Sequence, residues 1–227
     1  MSSQTPVRPL RAKISRPRSS SAPRRSLRQS LTGGGTEGNE QLTAVLGAIL
    51  LVLLAALGIT ILQIRQLLGV HLFLGFLLIG PVGAKMASTG YRFVRYYTGE
   101  REYRRKGPPP TVLRLLAPIV VGLTVIVFAT GVLLLILGPA HRGLPVLAHK
   151  ASFILWLGAM ALHVLGHLAE LPGSMRAVRD PDGRPSSRGG AGRWITIAGS
   201  LVGGLVLAIA LLPQFAAWTN GFQNFNH

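Results

Sequence analysis

Five long apolar runs constrain the fold more than any other feature of this sequence. They lie at about 42–62, 67–88, 115–137, 145–170 and 194–212, and the charged residues gather in the stretches between them. A helix needs about 20 residues to cross a hydrocarbon core of ~30 Å, and each run reaches or approaches that length. The runs lack the alternation of polar and apolar residues that spanning barrels require. We therefore expect an all-α fold, a polytopic membrane helical bundle of five transmembrane helices.

The composition agrees with a membrane location and argues against other classes of protein. Charged residues make up only 14% of the chain, whereas about a quarter is usual for a soluble domain. The net charge of +17 is carried by loops and a tail rather than by a folded basic face, so lipid is the expected partner and nucleic acid is not. Cysteine is absent. A cofactor would have to be held by His, Met or oxygen ligands.

The distribution of basic residues predicts the orientation of the bundle. Of the 24 lysines and arginines, 20 precede the first run or lie between runs two and three or four and five, and Lys85 lies near the end of run two on the same side. The exceptions are Arg65, Arg142 and Lys150. By the positive-inside rule, the N-terminus is cytoplasmic and the C-terminus is outside. Residues 1–40 form a predicted disordered basic cytoplasmic tail, residues 41–215 the membrane domain, and residues 216–227 an external aromatic tail.

Histidines inside the predicted spans are the strongest indication of chemistry. Ionisable residues within a membrane are rare and are candidates for functional sites by default. His71 and His149 lie near the outer ends of the second and fourth helices, which run in the same direction, so we expect the two residues at similar depth. Two imidazoles facing each other at one depth are the arrangement needed to ligate a haem iron from both sides. His71 and His149 are therefore the candidate metal ligands.

Nearby residues fit the same interpretation. Arg65, Arg142 and Lys150, the only basic residues predicted outside, all lie within seven residues of the two histidines. They are candidate partners for the propionates of a haem. Clearance for such a group is expected at glycines near or between the two histidines, namely Gly69, Gly75, Gly122 and Gly131.

Two further histidines lie deeper in the fourth helix. His163 follows His149 by fourteen residues, close to four turns, and so shares its face about 21 Å along the axis. A second haem there would need His163 or His167 with an unusual ligand such as Met86. The spacing of His163 and His167 also suits a zinc ion, a proton-accepting cluster or the lining of a quinone pocket. A single well-specified haem is the preferred prediction.

A family resemblance rests on three short stretches of sequence. VHLFLGF surrounds His71, AHKASFILWLGAMALHVLGH contains His149 and His163, and GLTVIVFATGVLL lies between them. The chain thereby resembles bacterial membrane b-type cytochromes, namely the cytochrome b561 group and the cytochrome subunits of nickel hydrogenases and formate dehydrogenases. The resemblance covers roughly residues 67–167. It implies a bacterial inner-membrane electron-transfer protein with His71 and His149 as axial ligands of haem b, and a quinone or redox protein as partner.

Two non-cytochrome interpretations remain open on the sequence. The first is a membrane scaffold or accessory subunit whose Arg-rich tail binds anionic lipid or a cytoplasmic partner, with the histidines serving as polar packing groups. The second is a transporter with His163 and His167 in a proton or metal path, although the broken helices and paired acids typical of such proteins are missing. Whether the chain is an enzyme stays open, because a redox subunit of this kind would rely on a separate catalytic partner.

Overall fold

The computed structural model describes residues 35–99, 111–168 and 190–223. These residues form six α-helices and one short 3-10 helix, and no strand occurs among them. The α-helices are α1 (Gly35–Leu62), α2 (Ile64–Tyr97), α3 (Thr111–Leu137), α4 (Gly143–Leu168), α5 (Gly190–Ala210) and α6 (Leu212–Gln223), and the 3-10 helix (Pro139–His141) joins α3 to α4. Residues 1–34 of the predicted tail lie outside the described part, whereas α1 already begins at Gly35.

Helices α1 to α5 are each long and apolar enough to cross a membrane. Their hydrophobic segments contain 25, 34, 26, 24 and 20 residues, and at most 17% of the central window of any of them is buried within the protein. The remaining apolar side chains face outwards, as expected where the surroundings are lipid. The predictions of a helical fold and of a multi-pass membrane protein are confirmed.

A very tight hairpin joins α1 to α2. Only Gln63 separates the two helices, and its carbonyl accepts hydrogen bonds from the backbone N–H groups of Gln66 and Leu67 at 3.0 and 2.9 Å. Leu67 departs from helical geometry, with φ −106° and ψ 18°. The first regular turns of α2 after this irregular start contain His71, so the hairpin determines where that histidine meets α1.

Helix α2 is central to the bundle, with α1 packed on one side and α5 on another. The backbones of α2 and α5 are in close contact. A Cβ on Gly80 would clash with the carbonyl of Ser200, and a Cβ on Gly204 would clash with the carbonyl of Leu77. Small residues permit such close approach between membrane helices. Of three glycines close together on α5, Gly204 packs against α2, whereas a Cβ on Gly199 or Gly203 would meet no atom within 4 Å.

Helices α3 and α4 form a second hairpin that touches the rest of the bundle only sparsely. They pack closely against each other, and α3 reaches α2 through a small contact. Val132 and Leu135 of α3 pack there on a buried cluster formed by Phe76, Ala208 and Phe215. The turn after α3 uses Gly138 with φ +71°, a conformation that side chains disfavour.

Helix α6 folds back along the outer part of α2. Phe215 stacks on Phe76 with ring centroids 5.8 Å apart, and the methyl of Thr219 lies 3.6 Å from the position of a Cβ on Gly69. Trp218 is 6% exposed, and its indole Nε1 is buried without a hydrogen-bond partner in the described chain. Most of the segment predicted as an external aromatic tail is therefore helical, while residues 224–227 lie outside the described part.

Candidate functional site

His71 is held by a threonine of the neighbouring helix. Its imidazole Nδ1 lies 2.9 Å from Oγ1 of Thr60 on α1. Thr60 is 3% exposed, and its hydroxyl also lies 2.5 Å from the carbonyl oxygen of Leu57. His71 is half-buried, and its Nε2 makes no hydrogen bond within the described residues.

His149 has the same environment on the second hairpin. Its Nδ1 lies 2.9 Å from Oγ1 of Thr130 on α3. The Thr130 hydroxyl is also 2.9 Å from the carbonyl oxygen of Ile126 and 3.0 Å from that of Val127. The ring of His149 also hydrogen-bonds to the backbone of Val127. Each imidazole therefore has its Nδ1 hydrogen-bonded to a threonine of the neighbouring helix.

A serine extends the network around His149. Ser152 is buried, and its hydroxyl lies 3.3 Å from Oγ1 of Thr130. It also donates a hydrogen bond to the backbone carbonyl of His149 at 3.0 Å. One turn further along α4, the indole N–H of Trp156 donates to Oγ1 of Thr124 at 2.9 Å. The α3–α4 interface is thus a row of polar pairs within an apolar bundle.

His71 and His149 belong to different hairpins, and the helices that carry them, α2 and α4, do not pack closely against each other. Gly75 on α2 and Gly122 on α3 have no atom within 4 Å of the position of a Cβ. Gly75 is half-buried, whereas Gly122 is exposed, so only Gly75 adjoins open space at a partly enclosed position.

The other two glycines predicted to give clearance have different neighbours. Gly131 lies against the imidazole of His149, whose Cε1 would be 3.3 Å from a Cβ at that position. Gly69 faces Thr219 of α6. Gly131 therefore makes room for the histidine itself, and Gly69 makes room for the C-terminal helix.

The three predicted outer cations are all exposed. Arg65 lies in the first turn of α2, Arg142 between the 3-10 helix and α4, and Lys150 next to His149 on α4. Arg65 and Lys150 make no hydrogen bond or ion pair with the described chain. These side chains lie at the same end of the bundle as the histidine pair, as a partner for carboxylates would require.

The deeper histidines are less well defined. His163 is half-buried on α4, whereas the side chain of His167 and all of Glu170 lie outside the described part. No group of three His, Asp or Glu side chains able to hold a metal ion occurs among the described residues. The described chain thus offers pairs of imidazoles rather than a three-ligand metal site.

The threonine partners were missed by the sequence reasoning, although a signal for them exists. Residues equally far from a hairpin turn face each other across it. Thr60 and His71 are placed symmetrically about the irregular stretch from Gln63 to Leu67, and Thr130 and His149 about the turn that contains Pro139. A polar residue opposite each histidine was therefore visible in the sequence.

The donor set fits a haem b. Imidazole nitrogens carried by two helices are a ligand type that haem iron takes, and each of these rings is oriented through Nδ1 by a threonine. The buried indole N–H of Trp218 has no hydrogen-bond partner among the described residues. No protein-family model, curated protein or solved structure matches this chain.

Proposed function

We propose that this chain is an integral membrane haem-b protein that relays single electrons, with His71 and His149 as the two axial ligands. The observation that supports the proposal most is the repeated His–Thr pair, in which Nδ1 of each imidazole lies 2.9 Å from a threonine hydroxyl of the neighbouring helix. When bound, haem supplies a one-electron iron couple that no side chain of this cysteine-free protein provides.

The residues of the chain would bind and shield that group. His71 and His149 would hold the iron of the group, with each ring oriented by its threonine, and the open position beside Gly75 would give the group room. The apolar helices exclude water from it, and burial is one of the ways in which a protein tunes a haem potential. Arg65, Arg142 and Lys150 are positioned to neutralise the propionates at the membrane surface.

The orientation and the partners follow from the same proposal. The strongly basic stretches remain on the cytoplasmic side of a bacterial plasma membrane, which places the haem in the outer half. A quinone or a separate redox protein completes the electron path, because the helical domain itself offers a binding site rather than a catalytic apparatus.

A spectrum of the purified protein tests the proposal. The full chain, expressed with ample haem precursor and purified in detergent, should show a reduced-minus-oxidised haem-b difference spectrum. His71→Ala and His149→Ala should each lose it, whereas His141→Ala, which alters an exposed histidine of the 3-10 helix, should retain it. Circular dichroism confirms that each variant remains helical.

Two results would contradict this function. A colourless wild-type protein would favour the scaffold or accessory-subunit alternative, and an unchanged spectrum in both single variants would remove the ligand assignment. The haem-to-protein ratio of the double variant His163→Ala, His167→Ala addresses the number of haems. An unchanged ratio supports one haem, and a halved ratio supports two.

A further inference from the structure

We infer that Thr60 and Thr130 are positioning residues that hold His71 and His149 in the tautomer protonated at Nδ1. Each neutral imidazole then carries its lone pair on an unprotonated Nε2. The inference concerns the state of the protein before any ligand arrives. It rests on the proposed function only for the identity of the ligand, the iron of a haem.

The tautomer of His71 follows from the direction in which the hydroxyl of Thr60 donates its proton. A hydroxyl group has one proton to donate and lone pairs that accept. The carbonyl of Leu57, 2.5 Å away, can only accept, so that short contact requires the Thr60 proton. The lone pairs of the same hydroxyl then face Nδ1 of His71 at 2.9 Å. Nδ1 must supply the proton of that hydrogen bond.

The argument for Thr130 is stronger, because more acceptors compete for its proton. The carbonyls of Ile126 and Val127 lie at 2.9 and 3.0 Å from Oγ1. The hydroxyl of Ser152 donates its proton to the carbonyl of His149. In its contact with Oγ1 of Thr130 at 3.3 Å, the Ser152 oxygen can therefore only accept. Nδ1 of His149 is the one neighbour able to donate to Oγ1 among these contacts.

The tautomer has a direct consequence for ligand binding. A neutral imidazole carries one proton, so a proton on Nδ1 leaves the lone pair on Nε2. Metals bind through that lone pair, and a hydrogen bond from the other ring nitrogen orients the ring and increases its basicity. Both threonines therefore prepare the histidines for a metal without contacting the metal.

Each pair is built within one hairpin. Thr60 and His71 belong to α1 and α2, and Thr130 and His149 belong to α3 and α4. The repetition of the same donor and acceptor arrangement on two separate hairpins is unexpected if the histidines serve only to link helices, since any polar neighbour would satisfy that role.

Nitrogen NMR of the haem-free full chain tests the tautomer directly. The protein is labelled with ¹⁵N-histidine in detergent at a pH where imidazole is neutral, and the signals are assigned with the single His variants. The wild type should show protonated Nδ1 and unprotonated Nε2 for both residues. Thr60→Val should change the signals of His71 alone, and Thr130→Val those of His149 alone.

A matched control variant is Thr196→Val. Thr196 donates to the carbonyl of Gly192 at 2.9 Å in the same local manner, but it is exposed and has no histidine partner. It should leave all histidine signals unchanged. Valine has nearly the shape of threonine, so the variants remove the hydroxyl with little change in packing volume.

The haem-loaded protein provides a second measurement. Loss of a partner to a metal-bound histidine typically weakens metal affinity about 10- to 100-fold, so we expect faster haem loss and a shifted midpoint potential in Thr60→Val and Thr130→Val. Wild-type histidines protonated at Nε2 would overturn the inference. A protein with the expected tautomers that binds no haem would refute the proposed function and leave the inference intact.

Discussion

Gly80 of α2 and Gly204 of α5 face each other so closely that neither could carry a side chain without displacing the opposite backbone. The Cβ of an alanine at Gly80 would meet the carbonyl of Ser200 and the backbone nitrogen of Gly204, and one at Gly204 would meet the carbonyl of Leu77. Backbone cannot rotate away as a flexible side chain can. The α2–α5 contact therefore depends on these two glycines, and α2 carries His71.

We expect Gly80→Ala and Gly204→Ala to destabilise the bundle. Inserting a methyl group into a closely packed interface costs about 1–3 kcal/mol and sometimes more. Thermal or denaturant unfolding in detergent, followed by circular dichroism, measures the loss. Gly203→Ala is the matched control, since open space surrounds that position. Equal stability of Gly80→Ala and Gly203→Ala would show that the helices do not approach as described.

Packing of Phe215 against the bundle should stabilise the position of α6. Its ring is 4% exposed and stacks on Phe76, so Phe215→Ala leaves a cavity in the shared cluster. Removing a buried phenylalanine costs about 3–5 kcal/mol. We expect easier proteolysis in the α6 segment as well as lower stability.

The control for that experiment is Phe93→Ala, because Phe93 is 61% exposed. Its loss should change stability by a few tenths of a kcal/mol, as is usual away from packed features. If the two variants behaved alike, α6 would not be docked through Phe215.

The hydrogen bond between Trp156 and Thr124 should couple α3 to α4. Both side chains are buried, and the indole N–H donates at 2.9 Å. Hydrogen bonds between membrane helices average about 0.6 kcal/mol and reach about 1.7 kcal/mol. A double-mutant cycle with Trp156→Phe and Thr124→Val should give a coupling energy in that range. A coupling energy near zero would show that this hydrogen bond does not stabilise the α3–α4 hairpin.

A polar cluster at the opposite end should hold α1 to α2. Ser88 donates to Asn39 Oδ1 at 2.6 Å, and its hydroxyl lies 2.7 Å from that of Thr43. The ammonium of Lys85 donates to the carbonyl of Thr43. Because Ser88→Ala leaves the half-buried amide oxygen of Asn39 without its hydroxyl donor, we expect a loss of stability of about 0.5–1.5 kcal/mol, measured by unfolding in detergent.

Ser200→Ala is the corresponding control. The hydroxyl of Ser200 bonds only to the carbonyl of Ile197 within its own helix, so its removal breaks no link between helices. If Ser200→Ala lost as much stability as Ser88→Ala, the loss would arise within single helices and not from a link between α1 and α2.

The sequence was sufficient to predict the five helices, because they follow from the length of the apolar runs; the shared depth of His71 and His149 stays a prediction. The threonine partners follow from hairpin symmetry, which becomes usable only when the turn is known to the residue. At the first hairpin, a shift of one residue in the centre of the turn would pair His71 with Gly58 or Leu62 instead of Thr60.

Other features depend on packing that no single segment determines. Gly199, Gly203 and Gly204 are equivalent in composition, yet only Gly204 lies on the α2 side of α5. The docking of α6 likewise depends on Phe76 of a helix distant in the chain. Apolar runs indicate that a segment is inserted in the membrane, but every side of such a helix is apolar, so they do not indicate which side meets a neighbour.

Each histidine shares a hairpin with the threonine that orients it, and this arrangement affects how the protein can be assembled. If the two helices of a hairpin insert into the membrane together, the hydrogen bond between the threonine and the histidine can form before the two hairpins associate. The last step of assembly is then the association of the two hairpins. Because direct contacts between the hairpins are few, a cofactor lying between them would help to hold them together.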